Sequence, residues 1–172
     1  MCIRDRAQTL LQQSENHRAE RDEEARALLK DLALTRDVHA FVEQASVWSR
    51  RPGPYSALSQ TAPTWLGQLM AHTSGRERDL ADLLVDVTLT PEDEEQAATR
   101  IRAVQEFIGS GGPDASRIPT VLSVFWSTDG SSTWPALWPQ GADTFQTLGW
   151  MGRHLTHAER YVAYAELCHS LE

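Results

Sequence analysis

Apolar residues recur along this chain at helical spacing far more often than in the strict alternation of strands. Val38, Phe41, Val42, Ala45 and Trp48 make one apolar stripe, and Thr35 is placed to cap the helix that carries it. That helix is predicted to stop at Arg50-Arg51-Pro52-Gly53-Pro54-Tyr55, where proline forbids continuation. A short apolar piece with Trp65, Leu66, Leu69 and Met70 follows Pro63. Ser74-Gly75-Arg76-Glu77 reads as a capping box for a helix bearing Leu80, Leu83, Leu84 and Val87. Thr90 caps the next, with Pro91 in its first position and Glu92, Asp93, Glu94 and Glu95 at the positive end of its dipole. Its predicted stripe is Ala97, Ile101, Val104 and Ile108, and the loop Gly109-Ser110-Gly111-Gly112-Pro113-Asp114 ends it. Thr156-His157-Ala158-Glu159 is a second capping box, opening a last helix that buries Ala158, Val162, Ala165 and Cys168. Residues 119–126 are apolar throughout and fit a buried strand as well as a buried helix. The expected class is all-α, with irregular packing of several helices around a Trp/Pro-rich loop region.

The front of the chain differs. Residues 7–34 form a predicted polar helical arm, with Leu10 and Leu11 at one end, Leu28, Leu29 and Leu32 at the other, and a polar stretch between. Sustained apolar heptads are lacking, so a coiled coil is not predicted. Met1 to Arg6 spell the translation of a transposon end used in sequencing adapters, and are expected to be a scar outside the fold. On that reading residues 35–172 are a helical domain belonging to a longer protein. The formal charge of −8 loses two Arg and one Asp with the scar and becomes −9.

Charge and residue usage exclude more than they assign. There is no basic-then-apolar leader and no apolar run of membrane-spanning length, so a cytoplasmic protein without membrane association is expected. Basic residues are 15 Arg against one Lys, and Lys30 lies in Leu29-Lys30-Asp31. That rules out a Gly-Lys-Ser/Thr phosphate loop in this chain and argues against a Schiff-base lysine. The common Asp…Glu-x-Lys nuclease pattern also fails, because Leu28 stands two residues before Lys30. His154 and His157, with Cys168-His169 downstream, have some metal-ligand character, but His154 precedes the predicted cap and no His-Glu-x-x-His is present. Cys168 falls on an apolar stripe as a small hydrophobe. The acidic residues serve helix ends or the polar arm, not a facing pair. No enzyme activity, cofactor or metal is expected of this chain.

Two features leave room for recognition. Basic pairs occur at Arg50-Arg51, Arg76 with Arg78, and Arg100 with Arg102, and an acidic protein can still read DNA through one basic face. Residues 125–150 hold four of the six tryptophans, Trp126, Trp134, Trp138 and Trp150, two of them followed by proline. Trp-Pro keeps Trp134 and Trp138 out of helical geometry. Such stiffness suits a core clamp or a stacking platform for an extruded base; burial decides, and the core is the preferred reading.

The run from Arg117 resembles a segment upstream of the motor in McrB-like AAA+ restriction ATPases. The residues that carry the resemblance are Val121 to Trp126, the turn Thr128-Asp129-Gly130-Ser131, Trp134-Pro135, Trp138-Pro139 and Leu148-Gly149-Trp150. The resemblance implies a non-catalytic front module of a modification-dependent restriction system acting in phage defence. Its implied task is DNA recognition, with Arg76, Arg78, Arg100, Arg102, Trp134 and Trp138 as candidate contacts. The alternative is a protein-interaction or scaffold domain that docks on the ATPase region or on a nuclease subunit.

Overall fold

The computed structural model describes residues 3–51, 61–130, 133–153 and 155–171, with side chains from Glu15 onward. Among these residues there are eight α-helices and no strand: α1 (Ile3–Thr35), α2 (Val38–Arg50), α3 (Thr61–His72), α4 (Glu77–Val87), α5 (Glu94–Ile108), α6 (Ile118–Trp126), α7 (Pro139–Thr147) and α8 (His157–Ser170). Short 3-10 turns at Ala115–Arg117 and Ser127–Asp129 flank α6. The all-α expectation holds. The ambiguous stretch 119–126 is helix, and every residue of α6 is buried. A helix enclosed on all sides has no polar face and hence no period to read.

α6 is the centre. It packs on α3, α5 and α8, and its Phe125 meets Phe41 and Trp48 of α2 at ring-centroid distances of 5.8 and 6.3 Å. α4 lies between α5 and the α1–α2 pair, and α7 rests on α8. The predicted stripes of α2 and α5 are both fully buried. That of α8 is rotated from expectation. Tyr161 and Tyr164 go inward with Ala158 and Ala165, while Val162 and Cys168 are only half-buried. The phenols reach carbonyls of the Trp-Pro segment, so a polar tip does not keep these rings out of the core.

The arm is shorter than expected. Residues 15–20 of α1 are exposed, but from Arg21 onward the helix packs on α2, α4 and the 127–129 turn. The Arg21 side chain is only 3% exposed. It bonds Glu24 Oε2 at 2.8 Å and the Trp48 carbonyl, and its guanidinium sits 4.7 Å from the Trp48 ring centroid. The Trp48 indole returns a bond to the Arg21 carbonyl at 3.1 Å. Residues 1–2, the Pro52–Tyr55 stop, Ser131 and His154 lie outside the described residues.

Three helix starts differ from the predicted ones. Asp37, not Thr35, caps α2 by accepting from Ala40 N at 2.9 Å; Thr35 ends α1 and donates to Asp31 O. Between them Arg36 takes the left-handed backbone (φ 57°) and pairs with Asp82 at 2.9 Å. The Ser74–Glu77 box does not form. Glu77 instead accepts from Gly75 N at 2.8 Å across a turn in which Gly75 has φ 84°, and this bond holds its carboxyl below the usual range. Asp93, not Thr90, caps α5 through Gln96 N at 2.8 Å, leaving residues 88–92 outside the helix. The Thr156–Glu159 box forms as expected, with both reciprocal bonds present. Pro63 is accommodated in the first turn of α3, where its missing N–H is no loss.

Candidate functional site

The Trp-rich segment divides into an inner clamp and an outer corner. At the clamp, Trp126 is 0% and Trp134 3% exposed. Their rings meet edge-on at 6.2 Å, and Tyr161 packs on both, at 5.4 Å from Trp126 and 6.1 Å from Trp134. The indole of Trp126 donates to Val87 O at 2.9 Å, and that of Trp134 to Pro91 O at 2.7 Å. Val87 is the last residue of α4, so its carbonyl is among those a helix cannot satisfy internally. Tyr161 Oη donates to Pro135 O at 3.1 Å, and Ser123 Oγ accepts from Leu137 N at 2.8 Å. The Pro-rich strap thereby closes over α6 and α8. Trp65 follows the same rule, donating to Asp114 O at 2.9 Å in the loop after α5. Of the four crowded tryptophans, Trp126 and Trp134 thus tie distant segments through their indole N–H groups.

The corner is built differently. Trp138 is half-buried in extended backbone at the head of α7. At the other end of α7, Gly149 adopts φ 78° and bonds Gln146 O at 3.2 Å, and Trp150 N bonds Phe145 O at 2.9 Å. This is a Schellman ending, completed by the ring contact of Trp150 on Phe145 at 5.6 Å. Phe145 in turn contacts Tyr164 at 5.8 Å. Yet Trp150 remains 53% and Leu148 55% exposed. Burial in a low-dielectric site, with Cys168 close by, pushes the Tyr164 phenol up to about 12; burial raises that of Tyr161 further.

The six residues expected to touch DNA are not gathered. Trp134 is a core side chain and offers no stacking face, which corrects its candidacy. Arg76 lies over the Phe107 ring at 4.2 Å and pairs with Asp79 at 3.5 Å, at the start of α4. Arg100 reaches back to the carbonyl of Leu89 just past the far end of α4, and burial lowers its pKa against the opposing pull of Asp86 and Glu92. Arg100 and the Phe107 contact of Arg76 lie seven residues, ~10 Å, apart along α5. Arg102 faces the start of α8, near Glu159, with a 3.2 Å bond to Thr99. Residues two apart on a helix diverge by ~200°, so Arg100 and Arg102 cannot share a face. Arg78 and Arg102 are exposed.

Other chemistry is sparse among the described residues. No group of three or more His, Cys, Asp or Glu is placed to hold a metal. No described helix is long and apolar enough to cross a membrane. A cleft of about 460 Å³ lies between the start of α5 and α8, lined by Glu92, Glu94, Glu95 and Glu166 above Trp134 and Val162. A second, of about 410 Å³, runs between α1 and α2 over Leu28, Val47 and Trp48. Sequence reasoning named Leu148-Gly149-Trp150 as part of the resemblance, not as exposed residues. The glycine between them was the available signal, since a left-handed residue after a helix turns its successor back onto the last turn. No family model, no curated protein and no solved structure matches this chain.

Proposed function

We propose that this chain is a non-catalytic docking module that binds an apolar segment of another protein at the Leu148–Trp150 corner of α7. The observation that carries the reading is a large aromatic stacked on Phe145 yet left 53% exposed, two residues from a Leu148 that is 55% exposed. Such a pre-ordered ring loses little entropy on binding, and tryptophans in that setting commonly dominate interface energetics. The formal charge of −8 favours a protein partner over a polyphosphate. If the chain belongs to a McrB-like restriction ATPase, the partner is the motor region or its nuclease subunit. A photoreactive residue in place of Leu148 tests this in cells. A discrete protein adduct that disappears with Trp150→Ser supports it; no adduct, or one indifferent to Trp150, overturns it.

DNA recognition is the second reading, supported by the exposed guanidiniums of Arg78 and Arg102. It requires salt-sensitive anisotropy changes with labelled duplex, weakened by Arg78→Glu and Arg102→Glu. Binding that ignores both reversals removes this support.

A further inference from the structure

We draw no further inference here: the strongest candidate, the acidic cleft between the start of α5 and α8 lined by Glu92, Glu94, Glu95 and Glu166, carries nothing because it is a carboxylate cluster at a helix N-terminus and no unpartnered buried polar group among the described residues points to a ligand there.

Discussion

Trp126 and Trp150 come from the same short stretch and meet opposite fates. Trp126 is wholly enclosed, with its N–H bonded to Val87 O, while Trp150 lies flat on Phe145 with half its surface in solvent. The enclosed ring joins two helices distant in sequence; the exposed one folds back on its own helix end. A tertiary tie of the first kind carries global stability, whereas a local one finishes a helix and leaves a face free. Tryptophan content alone therefore says little about a binding surface. The backbone that delivers each ring decides.

The contrast can be broken at its strong end first. Trp126→Ala should cost ~3–5 kcal/mol, lowering the urea midpoint sharply or abolishing folding. A loss of under ~1 kcal/mol would mean the ring is not a core tie. Trp134→Phe keeps most of the ring but strands the buried Pro91 carbonyl, and should cost ~1–3 kcal/mol in the same measurement. If Trp134→Phe proves neutral, the indole bond contributes nothing.

Tyr164 sits where clamp and corner meet. Its folded-state pKa of about 12 exceeds the ordinary 10.0, so the unfolded chain releases the proton first as pH rises. Its contribution is intact below pH 10 and declines between 10 and about 12. Alkaline melts of the parent should show that decline, and Tyr164→Phe should flatten it. An unchanged slope in Tyr164→Phe would assign the effect to Tyr161 or another group. The smallest effect belongs to Trp150→Ser, which forfeits a half-exposed stacking contact. A loss of ~0.5–1 kcal/mol is expected, with the helical signal unchanged. A loss matching that of Trp126→Ala would erase the distinction between the two sites.

How much of this was legible depends on what each residue answers to. The stripes of α2 and α5 were readable because both helices bury one face, and a single face repeats at helical spacing. α6 was ambiguous because it buries every face. The starts of α2, α4 and α5 moved by two or three residues, since caps compete locally: Asp37 over Thr35, Asp93 over Thr90. The destination of Leu89 and Pro91 carbonyls, on Arg100 and Trp134, was set by distant side chains that no local pattern contains. The same holds for the candidate site. Arg100 and Arg102, close in sequence, looked like part of a basic patch, but a spacing of two on α5 separates them. The corner surface was hidden for the opposite reason, because half-exposure of Trp150 follows from the turn at Gly149 and not from composition.

The Arg21–Trp48 pair has a mechanical corollary. Each residue donates to the other's backbone, and the guanidinium also lies against the indole it serves. Sliding α1 along α2 by one turn, ~5.4 Å, would carry the buried guanidinium away from the Trp48 carbonyl and ring and take the Arg21 carbonyl away from the indole N–H. The first helix is long and polar at its front, and apolar contacts of Ala25, Leu28, Leu29 and Leu32 seat only its second half. Together with the Arg26 bond to the Thr128 carbonyl and the Glu24–Arg51 pair, this lock sets how far the helix reaches past the domain.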